Sequence, residues 1–136
     1  MKRKVIMSNI THISAKGAPK PIAPFSHACE AGRFVFLTGQ MPIDPQTNTI
    51  IGDDIEDQTV AVLNNLVAVL NQAKLGLQNV VSARAFLTDM TDYENFNRVY
   101  ETYFHGYELP ARTCIGVVAL ALGAKVEIDF IAYRAD

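Results

Sequence analysis

Apolar positions recur every three or four residues between Ile55 and Ala73, with Ile55, Thr59, Val62, Leu63, Leu66, Leu70 and Ala73 on one face. That period predicts a long amphipathic helix. Asp53-Asp54-Ile55-Glu56 supplies its start, with a carboxylate to accept from free N–H groups and Glu56 in the first turn, and Gly76 closes it. A second helix is expected after Thr91-Asp92-Tyr93-Glu94, which has capping-box spacing. Tyr93, Phe96, Tyr100 and Phe104 share one of its faces, and it ends near Gly106.

Around these helices the pattern shifts toward short β-branched and alternating runs. Residues 26–30 and 33–38 read as a hairpin turning at Ala31-Gly32, and 80–87 as a further strand. Residues 113–120 and 126–133 read as strands on either side of a turn at Gly123. In the last strand Val126, Ile128, Phe130 and Ala132 alternate with Glu127, Asp129, Ile131 and Tyr133, giving one apolar and one mixed face. Pro19, Pro21 and Pro24 make 16–25 irregular, and Pro42, Pro45 and Gly52 make 41–53 a loop or frayed edge. The order is an α+β pattern in which two helices cover one face of a sheet. The other face then needs a second layer, which points to another subunit.

A chain of 136 residues and 15.0 kDa, 49% hydrophobic, fits one domain. Net charge is −2, and the 12 Lys+Arg are scattered apart from Lys2-Arg3-Lys4, which weighs against nucleic acid as the main partner. Val5-Ile6-Met7 is too short for a signal-peptide core, and no stretch is long and apolar enough to span a membrane. Met7 is an alternative start. Cys29 and Cys114 match no metal or redox spacing, so two free thiols in a reducing cytoplasm are expected.

Dinucleotide, P-loop and nucleophile-elbow motifs are absent. His12, His27 and His105 lack metal-ligand spacing, so each is expected on a surface or turn. A Cys114–His27 nucleophilic pair stays open, although a thiol in an apolar strand is usually inert packing. Arg112 follows Pro110-Ala111 and opens a strand. On residues alone a structural ion pair with a carboxylate such as Glu127 is favoured, and a bidentate clamp for a carboxylate ligand is the functional alternative. Glu127 itself reads as a surface or ion-paired group, and it approaches Arg112 if the two strands after Pro110 pair.

Several segments, taken in order, carry a resemblance that none carries singly: Pro21-Ile22-Ala23-Pro24-Phe25-Ser26, Leu37-Thr38-Gly39-Gln40-Met41-Pro42, Phe86-Leu87-Thr88-Asp89-Met90, Asn97-Arg98-Val99-Tyr100, Pro110-Ala111-Arg112-Thr113-Cys114 and Val126-Glu127-Ile128. With them the chain resembles the RidA (YjgF/YER/L-PSP) family from about Lys16 to Arg134. Residues 1–15 then form an N-terminal extension and first strand, and 16–136 a single RidA-like domain.

The resemblance implies a chorismate-mutase-like homotrimer with sites between subunits. It also implies cofactor-free and metal-free hydrolysis of enamines and imines such as 2-aminoacrylate or 2-iminobutyrate to a 2-keto acid and ammonia. It assigns Arg112 to the substrate carboxylate, Glu127 to the attacking water, and Phe25, Thr38, Gly39, Asn97 and Cys114 to the pocket. Where many members have Gly-Pro-Tyr this chain has Ala23-Pro24-Phe25, so a phenolic hydroxyl is missing. Pro-Ile-Ala-Pro-Phe is similar to the RutC branch, which makes 3-aminoacrylate an alternative substrate. A non-catalytic sensor of small carboxylates and, more weakly, an endoribonuclease or translation inhibitor are the other readings.

Overall fold

The α+β expectation holds in a computed structural model, which describes residues 9–136. Lys2-Arg3-Lys4 and Met7 lie outside the described residues. In chain order the elements are β1 (Ile10–Ile13), β2 (Ala28–Ala31), β3 (Phe34–Gln40), α1 (Ile55–Gln72), β4 (Val80–Leu87), α2 (Tyr93–Tyr103), β5 (Ala111–Gly116) and β6 (Val126–Tyr133). The strands make one mixed sheet in the order β1-β2-β3-β6-β4-β5, parallel only between β4 and β5.

Alternation decides which face is buried. Val126, Ile128, Phe130 and Ala132 of β6, with Val35 and Leu37 of β3 and Ala83, Ala85 and Leu87 of β4, are buried beneath the helices. Of the predicted aromatic face, Phe96 and Tyr100 on α2 and Phe104 at its C-cap are buried while Tyr93 is exposed, and Phe104 meets Phe130 edge-on at 6.1 Å. The opposite face stays open, with Phe34, Phe36 and Ile115 each more than 40% exposed. Two helices on one face and nothing on the other is the arrangement the pattern called for.

Three local expectations are corrected. Strands β5 and β6 do not pair; the chain leaves β5 at Gly116, earlier than residue 120, and β6 inserts between β3 and β4. The reason is that α2 makes a crossover, which sets β5 parallel beside β4, while β6 returns antiparallel to both β3 and β4. Next, α1 ends at Gln72, before Gly76. Lys74 takes a left-handed φ of 59°, and the bonds Leu75 N to Leu70 O and Lys74 N to Asn71 O close a Schellman motif. Finally, the Thr91 capping box does not form, because Asp89 accepts from both the Thr91 N–H and its hydroxyl, at 2.9 and 2.7 Å.

The loop 41–53 is more ordered than a frayed edge. Ile43 bridges to Ile50, and Met41 and Ile43 form a small second core with Ala124. Buried Asn65 on α1 donates to the carbonyls of Met41 and Ile43 at 3.0 and 2.8 Å. Changing Asn65→Leu leaves both acceptors unpaired, and stability is expected to fall by about 1–3 kcal/mol. A lower urea midpoint at unchanged m-value is the readout.

Candidate functional site

Sheet register settles where the predicted site residues stand. Arg112 pairs with Ala83 and Cys114 with Ala85, so both point to the helix-covered face. Glu127 pairs with Phe86 and points to the open face. Two strand spacings across and three residues along put the Arg112 and Glu127 backbones roughly 14 Å apart, on opposite faces. The structural ion pair between them is therefore ruled out, and one chain cannot bring both to one small molecule.

Each residue instead belongs to its own cavity. Arg112 sits at the end of α2 packing, its guanidinium carbon 4.9 Å from the Tyr100 ring centroid and 5.4 Å from that of Phe96. Its Nη2 donates to the Tyr93 hydroxyl at 3.1 Å, and it makes no ion pair with a carboxylate among the described residues. Asn97, Tyr100, Pro110 and Arg112 line a cavity of about 250 Å³. Asn97 and Tyr100 each carry a buried polar atom, Oδ1 and Oη, with no hydrogen-bond partner among the described residues. Arg112 thus has donors unused within the chain, while the Tyr100 hydroxyl lacks an acceptor and Asn97 Oδ1 lacks a donor. Burial pushes the Tyr100 hydroxyl up to about 12, against the opposing charge of Arg112, so it stays protonated. Burial also raises the Cys114 thiol, again opposed by Arg112. Cys114 is thus a packing thiol rather than a thiolate, and it borders neither of the two cavities described here.

The second cavity, of about 280 Å³, collects Phe25, Thr38, Gly39 and Glu127. Thr38-Gly39 forms a bulge in β3, where the register with β6 slips between Leu37 and Gln40. A side chain on Gly39 would put its Cβ 2.6 Å from Glu127 Oε2, so only glycine lets the carboxylate lie against this backbone. Glu127 is half-buried and unpaired, correcting the expectation of a surface or ion-paired group. Burial first, and then Asp129, raise its carboxyl above the usual carboxylate range. Asp129 itself is held by a bidentate bond from Arg84, with contacts of 2.7 to 3.1 Å. Gly39→Ala is expected to leave the fold intact, because the clashing atoms are the free end of a side chain. Displacing the carboxylate by about 1 Å should cost on the order of 10²-fold in any reaction it serves. Thermal melting alongside kcat/KM separates the two effects.

His27 is the residue the sequence misplaced. It is buried, not at a surface or turn, and both ring nitrogens are engaged: Nδ1 accepts from Ala15 N at 2.8 Å, and Nε2 donates to Pro19 O at 2.7 Å. It pins the proline-rich segment that carries Phe25. A Cys114–His27 pair is excluded within one chain, since β2 and β5 lie four strand spacings apart, about 19 Å. No spacing signal marked His27 for this role, nor Tyr93, Phe96 and Tyr100 as the cradle of Arg112.

With this fold and these two cavities the protein falls in the class of YjgF-type α+β proteins. The family model described as Endoribonuclease L-PSP matches residues 15–134. A RutC family protein of Pyrococcus horikoshii is 44% identical over 122 residues, 90% of this chain and 96% of that protein. Among solved structures, a Rid-family protein of Yersinia pestis superposes with a TM-score of 0.89 at 39% identity, covering 91% of this chain and 98% of that one. Escherichia coli TdcF, solved with bound serine, gives 0.88 at 34% identity over 92% of this chain and 99% of its own. The chain belongs to the RidA/YjgF/L-PSP family. No helix among the described residues is long and apolar enough to cross a membrane.

Proposed function

We propose that the protein hydrolyses reactive 2-imino and 2-enamino acids to 2-keto acids and ammonia, in sites formed between the subunits of a homotrimer. The observation that carries this reading is an Arg112 guanidinium with no carboxylate partner among the described residues, on a cavity also lined by Asn97 and Tyr100. Such a fork binds a ligand carboxylate through two parallel hydrogen bonds. The separation of Arg112 from Glu127 supports the shared site, because a three-carbon acid reaches both only if they come from neighbouring copies. The open sheet face and the exposed side chains of Leu109, Ile115 and Val118 around edge strand β5 offer the surface for that packing.

The chemistry follows from the two halves. Arg112 fixes the carboxylate so that the C=N carbon lies against a water beside Glu127. Glu127 accepts the water's proton as oxygen bonds to carbon, then returns one to the departing nitrogen; one water enters, and one keto acid and one ammonia leave. A carboxyl raised by burial is a stronger base than an ordinary carboxylate and so suits a group that must take up a proton and then return it. The bound serine of TdcF, a small amino acid with a carboxylate, is compatible with such a clamp. For the endoribonuclease of the family's description, this sequence offers no basic run beyond Lys2-Arg3-Lys4.

The test is release of keto acid and ammonia from freshly generated 2-aminoacrylate and 3-aminoacrylate, above the protein-free rate, with light scattering for a particle three times 15.0 kDa. Turnover of 3-aminoacrylate alone assigns the RutC-type alternative. Tight carboxylate binding without turnover of either reassigns the protein as a sensor.

A further inference from the structure

The Glu127 cavity is larger and more apolar than the smallest imino acids require. Its 280 Å³ is the space of about nine waters at ~30 Å³ each. In the proposed reaction the carboxylate lies on Arg112, and the reacting carbon, its water and the substrate's side chain share the space beside Glu127. Ile22 and Phe25 stand 42% and 39% exposed on this wall, and Met41 and Ile43 reach it from the second core. The polar groups are few. Thr38 spends its hydroxyl proton on the Ser26 carbonyl at 2.6 Å, and Phe25 has no hydroxyl to offer. What is left besides Glu127 is Gln40 and, on exposed chain, Lys20.

This wall is also held in place. Asn65 ties Met41 and Ile43 to α1, and His27 ties Pro19 to the β1–β2 end of the sheet. A wall that cannot collapse onto a small guest leaves part of the cavity unfilled, which forfeits contact.

Resting on the imine-hydrolase reading, we propose that this pocket selects 2-imino acids with an apolar side chain of three to four carbons, or a thioether, over those of small or hydroxylated amino acids. Ile22 and Phe25 are its specificity-determining residues. The experiment generates the imines of alanine, 2-aminobutyrate, leucine and methionine in place with an amino-acid oxidase and reads the protein-dependent hydrolysis of each. At about fourfold per buried methylene, kcat/KM for the leucine imine is expected to exceed that for the alanine imine by on the order of 10–100-fold. Ile22→Ser should lower that ratio, and Phe25→Tyr should lower it too. A wild-type ratio of one or less overturns the proposal while leaving imine hydrolysis standing. Failure to hydrolyse any of the four overturns both.

Discussion

Arg112→Ala is expected to abolish turnover while the chain still folds. In the proposed site the guanidinium supplies two hydrogen bonds to a charged oxygen pair, each worth about 1.5–3 kcal/mol, so kcat/KM should fall by roughly 10²–10⁴-fold. What the fold loses is smaller. Arg112 gives up one bond to Tyr93 and its stacking on Phe96 and Tyr100, contacts of about 0.5–1 kcal/mol at a partly exposed place. Arg112→Lys keeps the charge but not the fork, and should recover only part of the loss. The measurement is kcat/KM on a freshly generated imine beside the melting temperature of each variant. Full activity in the alanine variant would sink the carboxylate clamp.

The layers of this fold were readable because burial imposes a period. The 3.6-residue period of α1 and the two-residue period of β6 each survive as fully buried stripes, and the capping carboxylate of Asp54 does accept from Asp57 N at 2.8 Å. Strand order was not readable, because nothing local distinguishes a strand that turns back beside its neighbour from one that crosses over it. The β5–β6 pairing failed for that reason, and with it the idea that Arg112 and Glu127 meet within one chain. The sequence offered the candidate residues as a set but not their geometry. Six of its seven residues line two cavities, divided as Asn97 and Arg112 against Phe25, Thr38, Gly39 and Glu127, and the register alone reveals the division. His27 was hidden because a buried, fully bonded imidazole depends on two backbone groups that no sequence spacing locates.

Glu127→Gln should cost about 10²–10⁴-fold in turnover, the usual worth of a positioned general base, and should do so without weakening carboxylate binding. Its pH dependence carries the sharper test. In the proposed reaction the carboxylate form is the base, and burial with the nearby Asp129 holds its pKa above the ordinary range. Wild-type activity therefore falls as pH drops through that raised value, and the acid limb is absent from the glutamine variant measured on the same substrate. Stability moves the other way. With the folded pKa raised, the native state binds more protons than the unfolded state between the two values, so stability is lost as pH rises through them. Glutamine removes that loss, and the variant should melt no lower than wild type at pH 7. Because Arg112 and Glu127 stand on opposite faces of one sheet, mixed oligomers test the shared site directly. Co-assembling Arg112→Ala with Glu127→Gln subunits at equal ratio leaves about one site in four with both groups intact, from random pairing of neighbours in a closed ring. Roughly a quarter of wild-type activity should return from two inactive proteins, whereas a mixture as inactive as its parts would place both residues in one subunit's site and break the proposal.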